Sequence, residues 1–243
     1  MSRVAWVFPG QGCQYPGMGK QLYDNYAVAR ETFETADEVL GFRLSELIFS
    51  GPADELILTH NAQPAILVVS VACARVLRSL GLRPHMVAGF SLGEYTALVV
   101  AESLAFEDAV ALTRRRGLYM QEACPPGTGS MAAVMGMAYA ELEAICFAAS
   151  KHGVVTSANY NCPGQIVISG ETNAVAHVCK TVAERGGRTV PIPVSAPFHS
   201  PLMEPAARKL QADLERIQIR PPSVPVYTNV TGKTVSCPQE IKQ

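Results

Sequence analysis

Hydrophobic and polar positions follow two different rhythms along this chain, and the change between them divides it. Up to about residue 125, short unbroken apolar runs alternate with helical stretches. Val4–Phe8 is one such run, suited to a strand buried on both faces. Helical patterning follows at about 17–40 and 62–80, and Ala62–Leu80 is apolar nearly all round, which predicts a deep position. Gly81 and Pro84 break the chain before a short strand over 86–89, and helices follow at about 92–101 and 106–122. Strands separated by helices predict a mainly parallel sheet with helices on both faces.

The stretch Cys124-Pro125-Pro126-Gly127-Thr128-Gly129 ends this regime. Beyond it the pattern predicts strand over Ser130–Gly136, helix over Tyr139–His152, strands over Val154–Asn159 and Gln165–Ser169, helix over Thr172–Arg185 and strand over Arg188–Val194. That order, β-α-β-β-α-β, is the ferredoxin-like arrangement. A helix at about 202–217 and a strand at Val224–Thr228 then return to the first regime. The expected organisation is α/β: a large discontinuous domain, 1–126 and 198–243, carrying a small one at 127–197.

Composition narrows the function classes. Of 243 residues, 48% are hydrophobic and 17% charged, enough for a substantial core, and the net charge of −1 argues against nucleic acid as a partner. No run reaches the roughly 18 unbroken apolar residues of a membrane span, and Met1–Phe8 carries no signal-peptide cleavage pattern. Seven cysteines without a C-x-x-C pair read as reduced thiols rather than a disulfide frame or metal site. The expectation is a soluble cytoplasmic protein without a metal.

Candidate chemistry centres on Gly89-Phe90-Ser91-Leu92-Gly93, which places a serine between a strand and a helix. Such a turn lifts the hydroxyl clear of the backbone and aims helix-start amides beside it. A serine is a weak nucleophile unaided and requires a base. His60, His152 and His177 lie in helical or linker sequence, and His85 precedes the strand at its far end. His199, in Ser195-Ala196-Pro197-Phe198-His199-Ser200-Pro201, sits on a proline-flanked loop and is the best placed of the five. Phe8-Pro9-Gly10-Gln11-Gly12 ends the first strand, where open α/β sheets place ligands. It is no nucleotide loop, because Met18 follows Gly17 where Lys is needed and Tyr15 stands at the third glycine of the dinucleotide pattern. Of Arg114, Arg115 and Arg116, one is expected to face inward, where it would clamp a carboxylate, while the others are solvated.

These residues resemble one family, the malonyl-CoA:acyl carrier protein transacylases. The resemblance rests on Phe-Pro-Gly-Gln-Gly-Cys-Gln at 8–14, Gly-Pro-Ala-Asp-Glu-Leu at 51–56, Gln-Pro-Ala at 63–65, Gly-Phe-Ser-Leu-Gly-Glu-Tyr at 89–95 and Arg-Gly at 116–117. Asn-Tyr-Asn-Cys-Pro-Gly-Gln-Ile-Val-Ile-Ser-Gly at 159–170 and Pro-Phe-His-Ser at 197–200 complete it. The resemblance implies an α/β-hydrolase-like core with a ferredoxin-like insert. It implies Ser91 as nucleophile, His199 as base, the Gln11 and Leu92 amides as oxyanion hole and Arg116 as carboxylate clamp. Phe198, Met120 and Asn159 would line the acyl pocket. The implied partners are malonyl-CoA and acyl carrier protein, whose own phosphopantetheine supplies the thiol, with no cofactor, nucleic acid or membrane.

Two departures stand out. Phe90 occupies the position before the serine, where the family commonly has His. The family also continues for several dozen residues beyond the point matched by Gln243, so a monomer prone to self-associate, with poor turnover, is expected. A serine esterase or thioesterase, an acyl-binding module and a polyketide acyltransferase remain alternatives at this point.

Overall fold

The structure, a computed structural model, describes residues 3–125, 127–194 and 196–242. In chain order it contains β1 (Ala5–Phe8), α1 (Lys20–Asn25), α2 (Ala27–Leu40), α3 (Leu44–Ser50), α4 (Ala53–Leu56), α5 (Thr59–Ser79), β2 (Met86–Gly89), α6 (Gly93–Val100) and α7 (Phe106–Glu122). There follow β3 (Gly129–Met135), α8 (Tyr139–Ala149), β4 (Val155–Cys162), β5 (Gln165–Glu171), α9 (Thr172–Glu184) and β6 (Arg188–Ile192). The chain ends through α10 (Glu204–Arg216), β7 (Val226–Tyr227), β8 (Thr234–Val235) and α11 (Pro238–Ile241).

Two compact units result, one reaching to Leu118 and resuming at Leu210, the other spanning Tyr119–Lys209. The divisions fall inside α7 and α10 because Met120, Cys124, Met203 and Ala206 belong to an apolar cluster of the second unit. The boundary anticipated at Pro126 lies outside the described residues.

The first unit holds a sheet of order β1-β2-β7-β8, parallel through β7 and closed by antiparallel β8. Its helices bury one continuous apolar core in which Phe33, Leu44, Ile48, Leu67 and Val87 are fully enclosed. β1 departs from expectation. It is not buried on both faces: among the described residues it pairs only with β2, and Val7 is 73% exposed. The stretch expected as one helix over 17–40 is split at Tyr26, whose extended backbone separates α1 from α2.

Helix α5 lies deep, as its all-round apolar pattern predicts. By length and composition alone it could cross a membrane, but 61% of its most apolar window is buried within the protein. Pro64 sits inside it and cannot donate to the carbonyl four residues back, that of His60. That carbonyl accepts instead from Arg114 Nη1 at 2.8 Å. A buried backbone acceptor is thus satisfied by a side chain.

The second unit is a four-stranded sheet of order β4-β5-β3-β6, antiparallel throughout, with α8 and α9 packed on its core residues. The β-α-β-β-α-β order expected from the sequence is present, with a 3₁₀ turn over Ser150–His152 closing α8.

Candidate active site

Three residues, Phe90, Ser91 and Leu92, turn the chain from β2 into α6. Ser91 takes φ 50, in the left-handed region that costs an L-residue about 1–2 kcal/mol. The turn is that tight because its flanking glycines let backbone touch backbone. A Cβ on Gly89 would fall 1.9 Å from the Gly93 carbonyl carbon, and one on Gly93 would fall 2.3 Å from Phe8 O. The Phe90 amide donates to Phe8 O at 3.0 Å and Gly93 donates to Phe90 O at 2.8 Å, which ties the turn to the end of β1. Phe90 itself is 45% exposed.

Two amides beside this turn are left open. Among the described residues neither the Gln11 nor the Leu92 N–H donates to any group of the chain. Leu92 precedes the first turn of α6, where N–H groups have no helical acceptor. The Gln11 side chain is held elsewhere, donating to Thr59 Oγ1 at 3.3 Å.

The Ser91 amide is occupied. It donates to Asn229 Oδ1 at 2.9 Å. Sequence reasoning missed Asn229, although its place supplied a signal: it follows β7, the parallel neighbour of β2, at the carboxyl end of the sheet.

Helix α7 brings Arg116 to the serine. Arg116 Nη2 lies 3.3 Å from Ser91 Oγ, and Nη1 donates to Gln63 Oε1 at 2.7 Å. The guanidinium stands 5.5 Å from the centre of the Tyr95 ring. Burial pushes the Tyr95 phenol up despite the nearby Arg116 charge, so it stays protonated at neutral pH. The other two arginines correct the expectation of a solvated face. Arg114 donates to His60 O and Asn61 Oδ1, lies 4.9 Å over the Phe42 ring and has its pKa lowered by burial. Arg115 pairs with Asp213 at 2.8 Å. The middle of α7, which the sequence shows only as a run of charge, is pinned by partners distant in the chain.

The remaining candidates lie in the second unit. His199 is exposed and takes φ 58, between buried Phe198 and buried Ser200. Ser200 Oγ donates to Pro197 O at 2.7 Å and the Phe198 amide to Ala196 O at 2.9 Å, so the turn that presents His199 is internally braced. Ser195, at the start of this loop, lies outside the described residues. Phe198 and Met120 share an apolar cluster with Met131, Val167 and Met203. Asn159 is on β4 opposite Val167, beside a register shift from Ser157. Of the other histidines, His85 Nδ1 accepts from the Val4 amide at 3.1 Å, while the His152 and His177 rings stack at 4.2 Å. Among the described residues no three His, Cys, Asp or Glu side chains gather as a metal site would require.

The profile of the acyl transferase domain matches residues 5–242. A Bacillus subtilis protein named malonyl CoA-acyl carrier protein transacylase is 46% identical over 245 residues, covering all of this chain and 77% of its own length. The Escherichia coli K12 protein of the same name is 46% identical over 237 residues, covering 96% of this chain and 76% of its own. Among solved structures, an acyl carrier protein S-malonyltransferase from Vibrio cholerae aligns with TM-score 0.96 at 43% identity, over 99% of this chain and 79% of that one. A malonyl-transacylase solved with a type II PKS acyl-carrier protein aligns with TM-score 0.96 at 41% identity, over the same shares.

Proposed function

The chain belongs to the acyl transferase family, and we propose that it transfers malonyl from malonyl-CoA to the phosphopantetheine thiol of acyl carrier protein, in fatty-acid biosynthesis. The observation that carries this reading is Arg116 beside Ser91. A hydrolase has no need of a guanidinium at its nucleophile, whereas a malonyl ester carries a free carboxylate three carbons along, which a planar fork can hold bidentately.

Ser91 Oγ attacks the thioester carbonyl while His199 takes its proton. The negative oxygen of the tetrahedral intermediate accepts from the Gln11 and Leu92 amides, both open among the described residues. The C–S bond breaks, the proton passes to the CoA sulfur and a malonyl-serine ester remains. The carrier thiol then attacks this ester, its proton goes to His199, and as the bond from the acyl carbon to Ser91 Oγ breaks, that proton passes on to Oγ and restores the serine hydroxyl. Arg116 holds the acyl group for the second thiol. Phe198, Met120 and Asn159 form the pocket wall, and the chemistry requires no cofactor. The finer fold reading is an α/β-hydrolase-like large part with a ferredoxin-like insert, supported by the parallel β1-β2-β7 sheet and the antiparallel β4-β5-β3-β6 order.

A second reading, the same chemistry serving a polyketide carrier, is favoured by the likeness to a transacylase solved with a type II PKS carrier. Mass spectrometry after mixing with malonyl-CoA tests the common reaction. A malonyl adduct on Ser91 that is discharged by carrier protein is the expected result. Free malonate without transfer means a hydrolase, and no adduct means a binder. Comparing transfer to fatty-acid and polyketide carriers separates the two pathways.

A further inference from the structure

We infer that Asn229 is a positioning residue that holds the nucleophile turn in its strained form. The side chain bridges the turn from end to end. Oδ1 accepts from the Ser91 amide at 2.9 Å, and Nδ2 donates to Gly89 O at 2.7 Å and also to the Glu94 carboxylate. The Asn229 backbone amide donates to the same Glu94 oxygen at 2.9 Å. One amide side chain therefore touches the last residue of β2, the nucleophile and the first turn of α6.

The geometry explains why an amide is needed. Ser91 stands at φ 50, and a β2–α6 connection relaxed to ordinary dihedrals would swing the hydroxyl away from the Gln11 and Leu92 amides. Holding it requires an acceptor for Ser91 N–H and, on the same group, a donor for Gly89 O. Asn offers them on two separate atoms of one planar head, whereas Asp only accepts, Leu offers neither, and Ser has a single oxygen for both. Glu94 fixes which way round the amide sits, because its carboxylate only accepts. The bond to Ser91 N–H also removes that amide from competition for the oxyanion, leaving its neighbour Leu92 as the donor on this side. Asn229 touches no reacting atom, so it acts through the turn.

This inference rests on Ser91 being the nucleophile, and the experiment separates the two. Malonylation of Ser91 in the unaltered chain tests the nucleophile. Asn229→Ala tests the inference: kcat for malonyl transfer should fall about 10- to 100-fold while KM for malonyl-CoA stays within about threefold, as expected when a reacting group is misplaced and substrate binding is left intact. Asn229→Asp keeps the acceptor but sets a carboxylate against Glu94 and Gly89 O, and should be at least as poor. Adding Glu94→Gln to Asn229→Asp removes the repulsion between the two carboxylates and restores a donor–acceptor pair between these side chains, but leaves Gly89 O without its donor, so kcat should recover only in part, by about threefold or more over Asn229→Asp alone. That swap decides the matter even if Asn229→Ala fails to fold. An unchanged kcat in Asn229→Ala, an effect confined to KM, or no recovery in the swapped pair overturns the inference. An unaltered chain that forms no Ser91 adduct overturns the nucleophile reading instead.

Discussion

Arg116 Nη2 and Ser91 Oγ are 3.3 Å apart, which joins the interior of a helix to a strand–helix turn 25 residues earlier. A carboxylate on an acyl group esterified to the serine would replace the hydroxyl as partner of the guanidinium. Arg116→Ala should therefore lower kcat/KM for malonyl transfer by about 100-fold or more, the loss of a charge-assisted bidentate pair. Acetyl transfer should change far less. Parallel assays with malonyl-CoA and acetyl-CoA check this, and a uniform loss would mean that Arg116 only supports the fold.

Gln63 is buried and accepts from Arg116 Nη1 at 2.7 Å. Gln63→Leu keeps much of the volume but leaves a charged donor without that acceptor, at a cost of about 1.5–3 kcal/mol. Malonyl transfer should drop by about tenfold, with the rise concentrated in KM. Acetyl transfer measured on the same preparation should stay near its original rate.

Gly93 opens α6, where alanine would ordinarily be the better helix former by about 1 kcal/mol. Here its Cβ would lie 2.3 Å from Phe8 O, a backbone atom with nowhere to go. Gly93→Ala should thus reverse the usual sign and lower Tm by roughly 5 °C or more, with loss of Ser91 acylation. A calorimetric scan showing a higher Tm would mean that β1 can yield.

Burial raises the Cys146 thiol from 9.0 to about 11, with Glu143 adding to the shift. A pKa raised in the folded state means that folding favours the neutral thiol. Its contribution to stability is complete below about pH 9 and is lost as pH rises towards about 11. Denaturant midpoints should fall across that window, and less so in Cys146→Ala. Iodoacetamide at pH 8 should alkylate exposed Cys162 long before Cys146, read by peptide mass spectrometry.

Ser91→Ala and His199→Ala should each abolish transfer while leaving Tm nearly unchanged, since Ser91 is half-buried and His199 exposed. The double variant should be no worse than either single one, because a nucleophile and its base act as a unit. Stopped-flow release of CoA measures all three. Additive losses would break the pairing.

Much of this protein was legible in its residues. Alternation of apolar runs with helical periods determines the α/β class, and the change of rhythm after Cys124 marks a second unit, because element type follows from local spacing of side chains. Gly89 and Gly93 around Ser91 announce a turn that only glycine backbones allow, so the candidate nucleophile was visible too. Other features were decided by segments far apart in the chain meeting in space. Val7 reads as core by composition, yet strand order leaves it at a sheet edge and exposed. Three consecutive arginines look alike in sequence; α5, with Gln63, Asn61 and the His60 carbonyl freed by Pro64, takes Arg116 and Arg114, while Asp213 takes Arg115. Asn229 belongs to no local pattern at all. It becomes part of the site because β7 pairs parallel to β2, which carries a turn 138 residues away to the amide of Ser91. Local spacing sets what a segment can form, but hydrogen bonds between distant segments exist only once the sheet has ordered them.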